Sequence, residues 1–386
     1  NNFAATYVVK GSQLLNLTQK DWIAKEGIKH DLPGIFHPSR QALLINKYIE
    51  QQPAYTFLKA MEMGEITSQG ILLSRYFPSP MLKGLLISNR IQHLLKGIYF
   101  LKPSRSHDYF FSHEDRAFLL DLAKFAIPVY WVDEISKKVL QYVVKPNKET
   151  GMFVPIKTIP VFLQATIFGV YGSNLIEGNF ENTLEEILRG IIEIKNETNH
   201  HLLSKEIPIA LLTGGGPGAM EVGNRVAKKI KILSCSNIVD FRQKDKSVVN
   251  EQKQNPHIDA KMTYRLDRLV ERQAEFYLDF PIFLPGGIGM DFEYCLEEVR
   301  RKVGATQINP MLLLGPLEHW SNKITPRFQC NLKAGTIKGS EWISNCFYYA
   351  KDAKQAIKIY KDFFEKKLPI GKDGPVYEDG FCKNYT

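Results

Sequence analysis

Two glycine-rich turns and one carboxylate carry the chemistry open to this sequence. Thr213-Gly214-Gly215-Gly216-Pro217-Gly218-Ala219-Met220-Glu221 and, further on, Pro285-Gly286-Gly287-Ile288-Gly289-Met290-Asp291-Phe292-Glu293 each follow a short apolar run, Ile207 to Leu212 and Pro281 to Leu284. Each then opens a segment with helical periodicity. A strand that turns through glycines into a helix leaves backbone N–H groups pointing outward at the positive end of the helix dipole, which is an anion site. Two such turns in one sheet can hold one phosphate between them. Gly214, Gly215, Gly216, Gly218, Gly286, Gly287 and Gly289 are the candidate cradle, with Met220, Glu221 and Met290 beside it. Glu293 places a carboxylate in the first turn of the second helix, so phosphate grip and acid-base group come together: chemistry on a nucleotide.

The spacing excludes other nucleotide motifs. The run after Gly214 lacks the third glycine of G-x-G-x-x-G, so a dinucleotide site is not expected. Neither turn ends in G-K-[ST], which excludes a Walker loop.

Taken in order, the two turns resemble those of the LOG ("lonely guy") phosphoribohydrolases, whose pattern is G-G-G-x-G-x-M-E followed by P-G-G-x-G-T-x-x-E. The likeness covers roughly residues 160 to 365. Within that family, Tyr264-Arg265-Leu266-Asp267-Arg268-Leu269-Val270 is most similar to the nucleotide 5′-monophosphate nucleosidases. The resemblance implies a hydrolase of N-glycosyl bonds, releasing free base and ribose 5-phosphate with no cofactor and no metal. It implies that Glu293 is the catalytic carboxylate with an upstream arginine as its partner, that Gly172 and Ser173 lie beside the nucleotide, and that the protein is a homo-oligomer. Breaking an N-glycosidic bond builds positive charge on the ribose, which a carboxylate stabilises; an arginine fork binds phosphate or sugar hydroxyls.

Two positions depart from the family. Met290 stands where the pattern has threonine, removing a hydroxyl worth about 1–2 kcal/mol to a bound phosphate. The arginine is also ambiguous: Arg265, Arg268 and Arg272 fall at i, i+3 and i+7, one face of a predicted helix. Arg265 fits the local pattern and Arg272 the family spacing. A nucleotide sensor or nucleic-acid binder on the same fold is the alternative function. A pyridoxal-dependent decarboxylase is not expected, for want of an anchoring lysine.

These motifs need an α/β frame. Length allows two domains: residues 1–155 as a smaller N-terminal α/β domain, 160–365 as a doubly wound, mostly parallel Rossmann-like domain, and 366–386 as a loose tail. In the first, Gly70 to Ser74, Lys96 to Leu101 and Ala126 to Val132 read as strands and Glu114 to Phe125 as a helix. Val144 to Pro160 reads as the linker. In the second, Ala165 to Ser173 is a strand ending in Gly172-Ser173, Thr183 to Asn196 a helix, Asp291 to Val303 a helix ended by Gly304, Pro310 to Gly315 a strand and Ala350 to Phe364 a helix. Phe241 to Lys261 is polar and reads as a loop able to close over substrate, with Asn255-Pro256-His257 as contacts to base or sugar.

Composition is that of a globular protein: 44% apolar and 24% charged residues. Fifty basic residues against 41 acidic give a net charge of +9, read as dispersed solvated faces rather than a nucleic-acid surface. No stretch is long enough for a bilayer, so no membrane partner is expected. Cys235, Cys295, Cys330, Cys346 and Cys382 show neither disulfide nor zinc spacing, which fits a cytoplasmic location; Cys235 and Cys295 are expected to be buried. The sequence opens Asn1-Asn2-Phe3 without methionine, and the true N-terminus is expected upstream.

Overall fold

The computed structural model describes residues 6–10, 70–104, 109–146, 151–173, 179–240, 254–265 and 268–385. The chain divides into two compact units: Asn1–Ile159 with Thr263–Arg268, and Pro160–Met262 with Leu269–Thr386.

The first unit holds strands β1 (Thr6–Lys10), β2 (Gly70–Tyr76), β3 (Gly97–Lys102), β4 (Val129–Asp133), β5 (Lys138–Val144) and β6 (Gly151–Pro155) in that spatial order. β2, β3 and β4 run parallel, joined by the short helices α1 (Lys83–Leu86) and α2 (Asn89–Leu94) and by α3 (His113–Lys124); β4, β5 and β6 form an antiparallel meander. The Ser112 side chain caps α3 in a reciprocal capping box with Asp115. Phe77, Phe100, Phe111, Phe118, Trp131 and Phe153 pack ring on ring as the core. Val144 to Pro160, expected as linker, therefore contains a strand paired to β5. Late residues join this unit too: the Arg265 amide donates to Phe111 O at 3.3 Å, and the Arg116 guanidinium lies 4.5 Å over the Tyr264 ring.

The second unit begins with α4 (Ile159–Gln164, its first residue in the other unit) and β7 (Thr166–Tyr171). It continues through α5 (Phe180–Glu197), the hairpin β8 (Asn199–His200) and β9 (Leu203–Ser204), β10 (Ile209–Thr213), α6 (Ala219–Lys229), β11 (Leu233–Asp240), β12 (Ala260–Arg265, its last three residues in the other unit), α7 (Leu269–Ala274), β13 (Phe280–Phe283), α8 (Ile288–Lys302), β14 (Met311–Leu314), α9 (Leu317–Ala334), β15 (Phe347–Ala350) and α10 (Ala353–Phe364). The sheet runs β12-β11-β10-β7-β13-β14-β15. The pairs β11/β10, β10/β7, β7/β13, β13/β14 and β14/β15 are all parallel. The chain builds outward from β7 to one side through β10 and β11, then returns to build the other side through β13, β14 and β15. This is a doubly wound α/β fold, and its switch point lies at β7, where the loops leaving β7, β10 and β13 meet.

The central strands are apolar without alternation because helices cover both faces. Every residue of β7 and β10 is buried. On one face α5 contributes Leu184, Ile187, Leu188, Ile191 and Ile194, a helical stripe, against Ile359, Tyr360 and Phe364 of α10. On the other, Tyr294 of α8 stacks on Phe347 of β15, ring centroids 4.2 Å apart.

Several expectations are corrected. The three arginines do not share a helix: Arg265 ends β12, Arg268 precedes α7, and only Arg272 lies within it. The tail is packed rather than loose, since Phe381 and Cys382 are buried and Cys382 exchanges backbone hydrogen bonds of 2.8 and 2.9 Å with Phe347 and Tyr349. Cys295 is exposed. The basic charge, read as solvated faces, includes two buried residues, Arg300 and Arg301. Of the segment 241–261, residues 241–253 and the closing motion assigned to them lie outside the described residues, while Ala260 and Lys261 begin β12. No helix of the described residues is long and apolar enough to cross a membrane.

Candidate functional site

The exit of β7 ties the two glycine turns together. A Cβ on Gly172 would lie 2.7 Å from the Ala219 Cβ and 3.0 Å from the Leu284 Cβ, so only glycine lets the three segments close on one another. The next residue links both turns through its backbone: the Ser173 amide donates to Pro285 O at 3.3 Å, and Ser173 O accepts from the Ala219 amide at 3.0 Å.

The first turn is fixed from beneath by buried polar side chains. The Gly215 amide donates to the Thr213 hydroxyl at 3.0 Å, and the same hydroxyl donates to Asn224 Oδ1 at 2.6 Å. Asn255 holds the other side: its amide donates to Gly215 O at 3.0 Å, and its Nδ2 to Gly216 O at 3.0 Å and to Asn224 Oδ1 at 2.9 Å. Gly215 has φ +76°, and a Cβ there would meet Ile238 at 2.6 Å. Asn255 thus shapes the turn from a buried position, where the sequence reading had it touching base or sugar. The Gly215 N–H is thus taken up by this network.

A cavity of about 570 Å³ opens between the turns. Gly172, Ser173, Gly214, Gly216 and Met220 line one side; Gly287, Gly289, Met290 and Glu293 line the other, and Arg272 and Gln273 close it. It lies at the N-termini of α6 and α8, whose dipoles favour an anion. Gly215, Gly218, Glu221 and Gly286 stand behind this surface and are absent from the lining. Glu221 faces Arg225 at 3.6 Å and His257 at 3.8 Å. A Cβ on Gly286 would strike the Met290 Cβ at 2.6 Å, whereas Gly287 and Gly289 face open space. Arg265 and Arg268 belong to the first unit.

Glu293 lines the cavity from the second turn of α8, one turn later than expected. Its side chain is 13% exposed, with Arg272 Nη1 at 3.6 Å from its Oε1 and Gln273 Nε2 donating to the same oxygen at 3.0 Å. Burial pushes its pKa up to about 7; Arg272 and the Gln273 hydrogen bond pull it down, and the neighbouring Glu297 adds to the rise. Such a carboxyl exchanges a proton at neutral pH, as a general acid or base must. Arg272 is oriented by donating Nε–H to Asn237 O at 3.0 Å and by lying 5.0 Å over the Phe276 ring. Its guanidinium occupies the space a side chain on Gly214 would need.

Gln273, Asn237 and the apolar rim of Leu269, Ile288 and Phe292 were not singled out from the sequence. Gln273 had a signal in its position next to Arg272, and Leu269, Ile288 and Phe292 in lying within the quoted segments. Met290 is 4% exposed and packs its Cβ against Gly286. Among the described residues, no group of three His, Cys, Asp or Glu side chains is arranged to hold a metal ion.

No protein-family model and no curated protein sequence matches the chain. Two solved structures of the molybdenum cofactor carrier protein from Chlamydomonas reinhardtii are similar to part of it. One shows 18% identity and a TM-score of 0.31, the other 17% and 0.30; each match covers 52% of this chain and 99% of the carrier protein chain.

Proposed function

We propose that the second unit hydrolyses the N-glycosidic bond of nucleoside 5′-monophosphates to free base and ribose 5-phosphate, as the likeness of its turns to the LOG family implies. One observation carries the reading: a buried carboxyl that titrates near neutrality, Glu293, faces Arg272 inside a cavity between two helix N-termini. The volume, about 570 Å³, suits a mononucleotide.

The phosphate sits at the starts of α6 and α8, against Gly216 and against Gly287 to Gly289. The ribose then lies over Glu293. As the C1′–N bond breaks, its electron pair leaves with the base, and the carboxylate stabilises the positive charge growing on the sugar. Water adds its oxygen to C1′ and gives one proton to Glu293, which passes it on to the departing base or to solvent. Arg272 holds Glu293 in place and offers its remaining donors to phosphate or sugar hydroxyls.

A homo-oligomer and a cytoplasmic location belong to the same proposal. For the first, α8 and its C-cap carry exposed apolar side chains at Ile288, Phe292, Val299 and Val303 with Cys295 between them, a stripe of helical period that begins at the cavity mouth. Met290 favours a second reading, a nucleotide-binding protein without catalysis, because it withholds a phosphate-binding hydroxyl.

Incubation with AMP, GMP, IMP, CMP and UMP, followed by chromatography of free base, separates the two readings. Base release abolished by Glu293→Gln supports hydrolysis. Nucleotide-dependent thermal stabilisation without base release supports binding alone.

A further inference from the structure

Helix α7 presents both partners of Glu293, yet it is only six residues long, Leu269–Ala274. A helix that short has no stability of its own, and its final carbonyls have no partners within it. One side chain reaches the last two of them and one carbonyl just beyond the helix. Arg300 Nη2 donates to Gln273 O and, at 2.8 Å, to Ala274 O; Nη1 donates to Phe276 O at 2.8 Å. Arg300 is held in turn by Glu297, whose Oε1 accepts from Arg300 Nη1 at 2.8 Å and from the Tyr171 hydroxyl at 3.1 Å, while its Oε2 accepts from Arg301. Glu297 is 0% and Arg300 8% exposed, and neither lines the cavity. Glu293, Glu297 and Arg300 follow one another at i, i+4 and i+7 along α8, so the helix that supplies the carboxyl also supplies the brace for its partners.

We propose that Arg300, clamped by Glu297, is a positioning residue that fixes the end of α7 and so keeps Arg272 and Gln273 on Glu293. The role rests on the reading of the cavity as a nucleotide-cleaving site. Only a planar fork spans three carbonyls at once; Arg300→Lys keeps the charge opposite Glu297 but loses that span. The groups facing Glu293 are Arg272 and Gln273 from α7, Glu297 from its own helix and Tyr171 from β7.

The test compares wild type with Arg300→Lys in two measurements. Carboxyl-detected NMR follows the titration of Glu293, and base release gives kcat and KM. With α7 loosened, the two groups that hold the Glu293 pKa down withdraw. Its midpoint therefore moves up, and kcat falls roughly tenfold or more while KM stays within about threefold. An unchanged midpoint and kcat overturn the proposal. If the wild type releases no base, the functional reading fails, and the Glu293 titration still decides the brace. Should Arg300→Lys not fold, Glu297→Gln weakens the same clamp: faster hydrogen exchange confined to the amides of residues 271–276 supports the proposal, and wild-type exchange there overturns it.

Discussion

Glu293 is costly to the fold in the form that stabilises a cation. Its native pKa of about 7 lies above the ordinary carboxylate value of 4.5, so the native state binds the proton more tightly than the unfolded chain. Stability is therefore lost as pH rises from about 4.5 through 7, by up to about 3 kcal/mol. Glu293→Gln removes the loss, and its melting temperature should exceed that of the wild type at pH 8 and match it near pH 4.5. Thermal melts at both values check this; an equal gain at both would show that the carboxyl is not held protonated. Glu293 was legible in the sequence because it sits at a fixed offset from a glycine turn. The choice among Arg265, Arg268 and Arg272 was not, since it depends on where β12 stops and α7 starts.

At the level of elements, the two glycine turns divide into residues that pack and residues that face the cavity. Gly286 packs: an added methyl would strike the Met290 Cβ at 2.6 Å, so Gly286→Ala should cost about 1–3 kcal/mol of stability. Gly287 lines the cavity, has φ −98° and has open space at its Cβ position. Gly287→Ala should therefore leave unfolding unchanged within about 0.5 kcal/mol and still weaken nucleotide binding. Melts with and without nucleotide separate these effects. Helix α9 went unread because Pro326 lies inside it, and proline marks a helix end in sequence although this helix continues past it. Glu298 pairs with Arg327 of that helix at 2.7 Å, a contact between helices that no local spacing announces.

On the scale of the molecule, the net charge of +9 overstates the basic surface. Arg116, Arg272, Arg300 and Arg301 are all buried, where they cap carbonyls, cover rings or hold Glu293 and Glu297. The C-terminal residues close the sheet edge at β15 with Phe381, Cys382 and Leu368 buried. Truncation after Glu365 should therefore lower stability by more than about 3 kcal/mol, measurable by urea unfolding; a cut that left the midpoint unchanged would return the segment to a dispensable tail.

The sequence by itself determined the α/β class, the two turns and the carboxyl between them, because glycine runs after apolar strands and a carboxylate at a fixed offset from them are local properties of the chain. Only the tertiary structure decided which groups surround Glu293. Arg272 and Gln273 come from a short helix held by Arg300, Asn255 returns from a distant segment to hold the first turn, and Ser173 links both turns through its backbone. These pairings join residues far apart in sequence, and it is burial at the switch point of the sheet that gives them their strength and moves the carboxyl toward neutrality.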